Sequence, residues 1–497
     1  MPKLILAQVS FTKEYFIVNQ QHPQKIIKNG EKLFVCGAEY HNLNNHFNGF
    51  ILTTNINGDS LNYLSTRDTI SNSFNDILIN DSLILVAGDR DSSKTYSDAT
   101  FFVYSLVSNK KVARINFGDA DGDIFLKILI DKSNNIYLIG WVVLTPLVDA
   151  NVKVVKCKQD GTLVWGKNYG GVGQQGGYGA MFAENENLII CGTTNRYSIP
   201  SPISGQLEND GYLICIDTLG SVIWEKNYTI NNLPTIAESF QSITSCKGNQ
   251  FICSGYLNDE TIIQNDPNYD YEALLYMVND TGKVIWYKRF FIDTKLDKSK
   301  WYKSYFTKVI QDVAGNILLL GTYRDMNTFN IDKVGFLCKY NPEHDTIYWR
   351  IEFKELDHDF EANDFVLNDD GSVFVVLEKW PIPIYSSDVI LVKIDNTGCL
   401  MDECHIGQPH FNTNGIVFPN PFTNEFNLQF TENVSEVNLS MYNAVGQLVA
   451  SNTLKPKPTA EGNYYVNYQA PTLSKGLYFY QLTADGNIIT KGKIMKQ

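Results

Sequence analysis

Short apolar strands that close on glycine recur along most of the chain. They end at Gly37, Gly88, Gly140, Gly192, Gly255 and Gly321. Each glycine is followed by a polar loop, a second apolar strand, a tight turn and a third strand, and one more short strand precedes it. Alternating side chains, β-branched and aromatic residues, and Asn-Gly, Asp-Gly or Thr-Gly turns favour antiparallel hairpins over helices. The pattern therefore predicts a repeat of about 50 to 65 residues with four strands per unit.

Four-stranded units at this spacing are typical of propeller blades, whose radial packing protects the sheet edges. A seventh unit contains DFVLNDDGSVFVVLEKW and DVILVKIDNTGCL but has no closing strand after Gly398. The N-terminal segment Val9–Phe16, VSFTKEYF, is similar to the closing strands of the other units. We therefore predict a seven-bladed β-propeller over residues 9–405, with the N-terminal segment completing the seventh blade.

The C-terminal region follows a different pattern. Residues 406–416 are polar and are typical of a linker. Residues 417–497 alternate short strands with turn residues, which predicts a small Ig-like β-sandwich. The predicted fold class is thus all-β, a seven-bladed β-propeller followed by a small Ig-like β-sandwich.

Three blocks in this C-terminal region carry a family resemblance. They are VFPNPFTNEF from residue 417, SMYNAVGQLV from residue 440 and LSKGLYFYQLTADGNIITKGKIMKQ from residue 473. In this order they resemble the type A C-terminal sorting domain of the type IX secretion pathway. The resemblance implies a sorting signal that includes Pro419, Asn420, Pro421, Gly446, Gly476, Tyr478, Lys491, Gly492 and Lys493.

The same resemblance implies a partner and a destination for residues 1–416. The partner is the type IX secretion machinery, which recognises such domains at the outer membrane and usually removes them. The chain is then expected to pass through the periplasm of a Gram-negative bacterium and to be secreted or held on the outer cell surface.

A second resemblance concerns the repeat itself. Gly161, Gly220 and Gly282 stand four residues before Trp165, Trp224 and Trp286 in the segments GTLVW, GSVIW and GKVIW. These segments resemble the repeats of PQQ-like propellers and of uncharacterised exported propellers. The resemblance concerns the fold alone, and no quinone cofactor is expected because no two cysteines are adjacent. We expect the tryptophans to pack between blades.

The N-terminus and the charge narrow the class of protein further. Residues 1–8, MPKLILAQ, are either the remnant of a signal peptide or an ordinary strand, and the sorting domain favours the signal. The sequence contains no run of about 20 apolar residues, the length needed to span a membrane as a helix. A formal net charge of −13 disfavours nucleic acid as a partner, because phosphate binding requires clustered Lys and Arg.

Aspartates and cysteines suggest two further local features, a calcium site and disulfide bonds. Asp119, Asp121 and Asp123 have the i, i+2, i+4 spacing of the first half of a calcium loop, although Ile130 stands where the bidentate acid belongs. The nine cysteines include two pairs close enough in sequence for a disulfide, Cys399 with Cys404 and Cys246 with Cys253.

The sequence contains no Ser nucleophile elbow, HExxH motif or phosphate loop. We therefore expect a non-enzymatic module that binds a ligand such as a glycan or a surface protein, or that acts as an adhesin or structural component. The alternative is a carbohydrate-active hydrolase or lyase with its active site on the axial face of the propeller. That alternative requires two converging carboxylates with opposed pKa shifts.

Overall fold

The computed structural model describes two compact units, Met1–Asp345 with Ile351–Asn396, and Thr397–Gln497 with Thr346–Arg350. The residues described are 10–15, 20–41, 46–91, 97–118, 122–144, 149–205, 207–230, 233, 235–259, 271–290, 303–325, 332–355, 357–381, 387–398, 415–418, 422–430, 434–443, 447–458, 464–470, 473–484 and 487–496. No helix in these ranges is long and apolar enough to cross a membrane.

The described residues between Phe11 and Ile394 contain 28 strands, and apolar side chains of these strands are buried. In chain order they are β1 (Phe11–Tyr15), β2 (Gln20–Asn29), β3 (Lys32–His41), β4 (His46–Asn55), β5 (Ser60–Ser65), β6 (Asn72–Asn80), β7 (Leu83–Asp91), β8 (Ser97–Ser105), β9 (Lys111–Asn116), β10 (Asp123–Ile130), β11 (Ile136–Leu144), β12 (Asp149–Cys157), β13 (Leu163–Tyr169), β14 (Gln175–Phe182), β15 (Leu188–Thr194), β16 (Asp210–Ile216), β17 (Val222–Tyr228), β18 (Ile236–Cys246), β19 (Gln250–Asp259), β20 (Glu272–Asn279), β21 (Val284–Phe290), β22 (Lys303–Gln311), β23 (Ile317–Asp325), β24 (Asp332–Asn341), β25 (Thr346–Phe353), β26 (His358–Leu367), β27 (Val373–Pro381) and β28 (Asp388–Ile394).

These strands pair into seven four-stranded sheets among the described residues. Sheets 1 to 6 take four consecutive strands each, starting from β2, β6, β10, β14, β18 and β22, and sheet 7 has the order β1-β28-β27-β26. The first strand of each sheet contacts the first strand of the next, and β26 contacts β2. The sheets therefore form a closed ring around their first strands, which is the arrangement of a β-propeller.

The ring closes through the N-terminal strand. β1 pairs antiparallel with β28, from Phe11 opposite Lys393 to Tyr15 opposite Val389. The Tyr15 hydroxyl donates a 2.6 Å hydrogen bond to the Gly58 carbonyl oxygen in sheet 1. This confirms the prediction that residues near the N-terminus supply the strand missing after Gly398.

Trp165 and Trp224 of the outer strands are hydrogen-bonded to the neighbouring sheet, as the repeat predicts. Aromatic side chains on the fourth strand of one sheet reach the tight turn between the third and fourth strands of the next. They donate hydrogen bonds to carbonyl oxygens there, as follows: Trp165 Nε1 to Thr218 at 3.3 Å, Tyr169 Oη to Gly220 at 2.9 Å, Trp224 Nε1 to Asp280 at 3.0 Å and Tyr228 Oη to Gly282 at 2.7 Å. The glycines allow close approach of the turn, since a Cβ at Gly220 would lie 3.1 Å from the Trp165 ring.

The cores of this region lie between adjacent sheets. One cluster joins Phe101 of sheet 2 to Phe125 and Leu138 of sheet 3. Another joins Phe50 of sheet 1 to Leu391 of sheet 7, so the closing junction is packed like the others. Each sheet is therefore buried on both faces, which explains the near-continuous apolar character of the second and third strands.

The C-terminal residues form two further four-stranded sheets. The strands are β29 (Gly415–Phe418), β30 (Glu425–Phe430), β31 (Val437–Asn443), β32 (Leu448–Leu454), β33 (Lys457–Pro458), β34 (Tyr464–Gln469), β35 (Gly476–Ala484) and β36 (Asn487–Lys496). The sheet orders are β29-β30-β34-β33 and β32-β31-β35-β36. Side chains from both sheets, including Phe426, Leu439 and Leu482, share one core.

Candidate axial binding site

Each of the seven first strands contains a break in its register with the second strand. At each break one residue of the first strand has no opposite residue, as expected of a β-bulge. The seven bulge residues are Gln24, Asn75, Leu126, Tyr178, Gln241, Thr307 and Asn363.

The glycines of the sequence repeat explain these bulges. In sheets 1 to 6 the glycine that ends the apolar run lies opposite the residue just before the bulge, as Gly140 lies opposite Phe125. A Cβ at any of these glycines would overlap a carbonyl oxygen of the first strand; at Gly140 this oxygen belongs to Ile124. The recurring glycine therefore lets the bulged strand come close, while sheet 7 has Leu377 at the corresponding position.

All seven bulge residues line one cavity of about 1120 Å³. The cavity lies on the axis of the ring because each first strand contributes to its wall. Sheets 3 to 6 contribute little beyond their bulge residues, whereas sheets 7, 1 and 2 supply most of the remaining lining. The wall of the cavity is therefore formed mainly by sheets 7, 1 and 2.

Several polar groups of the lining are left without a protein partner. Among the described residues, the Gln24 amide and the Tyr178 hydroxyl make no hydrogen bond, and the Asn363 Oδ1 atom is buried without one. Burial raises the pKa of Tyr178 to about 12, so the hydroxyl stays a donor at neutral pH. Trp380 and Phe47 add aromatic surface. The cavity thus combines free hydrogen-bonding groups with aromatic faces.

Two carboxyls of β7 reach the cavity from sheet 2. Asp89 accepts hydrogen bonds from the Ser73 hydroxyl and, at 3.1 Å, from the Asn75 amide. Asp91 accepts one from the Ser97 hydroxyl at 3.1 Å. Burial raises the pKa of Asp89, the bonds from Ser73 and Asn75 oppose the rise, and the nearby Asp91 adds to it. Neither carboxyl has a basic partner among the described residues.

Two carboxyls of sheet 7 do have such partners. Glu378 lies 2.6 Å from Nδ1 of His22, and the Lys333 ammonium donates to Glu361 at 2.7 Å. Burial raises the pKa of Glu378, and His22 opposes this shift while Glu361 adds to it. The acidic groups of sheet 7 are thus compensated within the protein.

Beside the bulges lies a layer of paired charges, because the residue after the bulge is charged in five of the seven first strands. Lys127 Nζ lies 2.8 Å from Asp76, and Lys308 Nζ lies 2.7 Å from Asp364. Lys25 Nζ lies 4.0 Å from Asp364, and 27% of its side chain is exposed. Burial alone would raise the pKa of Asp364, but Lys308 and Lys25 outweigh it and hold the pKa below its usual value. These ion pairs tie the first strands together around the axis.

Of the three aspartates predicted to bind calcium, the structure describes Asp123 alone. Asp119 and Asp121 lie outside the described residues. Asp123 Oδ1 accepts the Ala99 amide at 2.7 Å, and its Oδ2 pairs with Lys153. No group of three or more His, Cys, Asp or Glu able to hold a metal occurs in the part of the chain that is described. Calcium binding stays a prediction. The Asp123 carboxylate links Ala99 of sheet 2 to Lys153 of sheet 3.

The structure contradicts the predicted disulfide between Cys246 and Cys253, because both residues are free thiols. The register of β18 and β19 places Cys246 opposite Gln250 and Cys253 opposite Ile243. The two cysteines are therefore not cross-strand neighbours. Burial raises the pKa of Cys246 to about 12, which leaves it protonated at neutral pH. The second expected pair, Cys399 with Cys404, lies outside the described residues.

The predicted sorting-signal residues are distributed over the C-terminal sheets. Gly476 begins β35 at φ +148°, a conformation that other residues rarely adopt. The Tyr478 hydroxyl donates to the Ser474 carbonyl oxygen at 2.8 Å. Lys491, Gly492 and Lys493 belong to β36, opposite Gln481, Tyr480 and Phe479. Pro419, Asn420, Pro421 and Gly446 lie outside the described residues.

The cavity-lining residues were not found from the sequence. They differ in type from unit to unit, so no motif marks them. Their position was nevertheless encoded, because each repeat glycine lies opposite the residue just before the bulge. Pairing the glycine strand with the strand before it would have located all but the bulge of sheet 7.

The ring of four-stranded sheets around an axial cavity defines an all-β protein with a β-propeller region. Residues 416–497 match the family described as "Secretion system C-terminal sorting domain". The chain is thus a secreted protein of the type IX pathway, with a β-propeller ahead of its sorting domain.

Solved structures similar to the chain share little sequence with it. The β-propeller domain of the Trilobed protease from Pyrococcus furiosus is 9% identical, covering 81% of this chain and all of that domain, with a TM-score of 0.39. Polysaccharide lyase Uly1 is 10% identical, covering 79% and 94%, with a TM-score of 0.44. Drosophila Semaphorin 2a is 10% identical, covering 98% and 97%, with a TM-score of 0.43. No curated protein matches the sequence.

Proposed function

We propose that this protein is a non-enzymatic binding module, exported through the periplasm of a Gram-negative bacterium and secreted or held on the outer cell surface. Residues 9–405 form a seven-bladed propeller, residues 406–416 a linker and residues 417–497 an Ig-like sorting domain. The ligand binds in the axial cavity. The observation that carries the proposal is the convergence of all seven bulge residues on that one cavity.

The lining favours a glycan as the ligand. Sugar hydroxyls need amide, hydroxyl and carboxyl partners, and the apolar faces of sugar rings pack on aromatic side chains. The cavity offers the free groups of Gln24, Tyr178 and Asn363, and the aromatic side chain of Trp380 lines the same cavity. Its volume of about 1120 Å³ is enough for a short oligosaccharide.

The alternative to a binding module is a hydrolase or lyase that uses carboxyls of the same cavity. A glycosidase needs one carboxyl held protonated and a second held ionised across the sugar. Two of the described lining carboxyls have shifted pKa values, Asp89 and Glu378, and both are shifted upward. Because these shifts do not separate binding from hydrolysis, the fate of a bound glycan does so: release of the glycan uncleaved supports the binding module, and cleavage supports the hydrolase or lyase.

Replacing both Gln24 and Asn363 with alanine should weaken glycan binding about tenfold, because two hydrogen bonds to the ligand are lost. A glycan array first identifies the glycan that binds best. Titration calorimetry then measures the affinity of each variant for that glycan. Asn168→Ala is the matched control, since Asn168 is exposed on β13 away from the cavity. Absence of binding across glycan and matrix-protein arrays, or equal affinities for both variants, would contradict the proposal.

Deleting Thr413–Gln497 should leave the propeller folded but retained in the periplasm, because the sorting domain is the part recognised for export. The amounts of protein in the periplasm and in the medium are compared by immunoblot with those of the full chain. Protease resistance of the retained protein checks that it is folded. Secretion at the level of the full chain would refute this role of the sorting domain.

A further inference from the structure

The charges that line the cavity are unevenly distributed. Among its described lining residues, sheet 2 contributes Asp89 and Asp91, sheet 7 contributes Glu361 and Glu378, and the basic groups are Lys25 and His22. No arginine is present in this lining. Arginine is the side chain best suited to bidentate recognition of carboxylate and phosphate groups. The lining is therefore poorly suited to an acidic ligand.

The protein compensates these carboxyls unequally. Glu361 is paired with Lys333, and Glu378 lies beside His22. Asp89 and Asp91 are contacted by neutral hydroxyl and amide groups alone among the described residues. A cation near them would offset both the desolvation of Asp89 and its repulsion by Asp91.

The geometry of β7 places these two carboxyls where one cation can meet both. Asp89 and Asp91 are two residues apart on one strand, so their side chains leave the same face about 7 Å apart. Both line the same cavity as the free polar groups of Gln24 and Asn363. An ammonium group between them can interact with both while adjacent hydroxyls reach the amides.

Resting on the proposed function, we infer that the cavity selects glycans that contain amino sugars, with a protonated amine bound between Asp89 and Asp91. The charge pairing supplies the selectivity, and the polar and aromatic lining supplies the affinity common to all sugars. Neutral N-acetylated and acidic sugars of the same length bind more weakly, because they leave these carboxyls uncompensated.

The test uses the full chain and three trisaccharides of β-1,4-glucosamine, β-1,4-N-acetylglucosamine and α-1,4-galacturonate. Affinities are measured by calorimetry at a pH where the amine is protonated, at low and high salt. We expect the glucosamine trimer to bind at least about tenfold more tightly than the N-acetylated trimer, and the preference to shrink with salt.

Asp89→Asn and Asp91→Asn should each reduce this preference while keeping side chains of the same shape. The matched control is Asp81→Asn, an exposed turn residue between β6 and β7 in the same sheet. Thermal unfolding of all three variants checks that they are folded. The inference is supported if Asp89→Asn and Asp91→Asn lose the preference for the glucosamine trimer while Asp81→Asn keeps it.

Two outcomes separate this inference from the proposed function. Equal or tighter binding of the N-acetylated or acidic trimer would overturn amine selection but leave glycan binding in place. If none of the trimers binds and the glycan arrays are also negative, both are overturned. A preference for the amine that survives both Asn substitutions would overturn the assignment to Asp89 and Asp91.

Discussion

Removing residues 1–16 is expected to lower the midpoint of thermal unfolding by about 5 °C, because the ring loses the strand that closes it. β1 contributes the outer strand of sheet 7 and packs Phe11 against the core shared with sheet 1. Tyr15 and Glu14 add the bonds to Gly58 and to Lys379, the latter at 3.1 Å. Phe11 and Tyr15 are partly buried, and their burial stabilises the fold by about 2 kcal/mol in total, before the strand pairing is counted.

Differential scanning calorimetry of the two proteins gives this measurement. The control is deletion of residues 1–9, which keeps all of β1. Deletion of β1 also exposes the edge of β28, so we expect concentration-dependent association in gel filtration. If both deletions unfold at the same temperature, β1 does not hold the ring closed.

Gly140→Ala is expected to destabilise the protein by about 3 kcal/mol or more, because its Cβ would overlap the Ile124 carbonyl oxygen. This oxygen belongs to the backbone of the bulged first strand, so it cannot move as a side chain would. Relief requires the bulge of β10 to shift, which also displaces Leu126 at the cavity wall. Chemical unfolding with urea measures the loss of stability.

Gly166→Ala is the matched control for this substitution. Gly166 is an exposed strand glycine on β13, and its Cβ would meet its nearest neighbour, the Val155 side chain, at 3.6 Å. That distance is an ordinary van der Waals contact, so little change is expected or a small gain from the reduced freedom of the unfolded chain. Equal losses of stability in the two variants would show that the close approach at Gly140 is not what requires glycine.

The sequence was enough to predict the strands, their grouping and the closing of the ring. This is because the glycines, the turns and the alternation of side chains are local signals that repeat. The interactions of Trp165 and Trp224 with the next sheet also followed from the repeat. The sorting domain was recognisable because its blocks lie in order at the end of the chain.

The cavity could not be predicted in the same way. It depends on seven residues from distant parts of the chain, which meet only when the ring is closed. Their types are unrelated, from Leu126 to Asn363, so no shared motif marks them in the sequence. The expected bridge between Cys246 and Cys253 was wrong for a related reason: closeness in sequence does not fix which residues of a hairpin face each other.

The strand that closes the ring also sets the order in which the molecule can be completed. Glu14 and Lys379 are 365 residues apart in the chain. During synthesis, which starts at the N-terminus, β1 therefore has no partner strand until β28 has been made. Contacts of such long range make folding slow. The axial cavity, whose wall includes Glu361, Glu378 and Trp380 of sheet 7, is therefore completed only when that last sheet has formed.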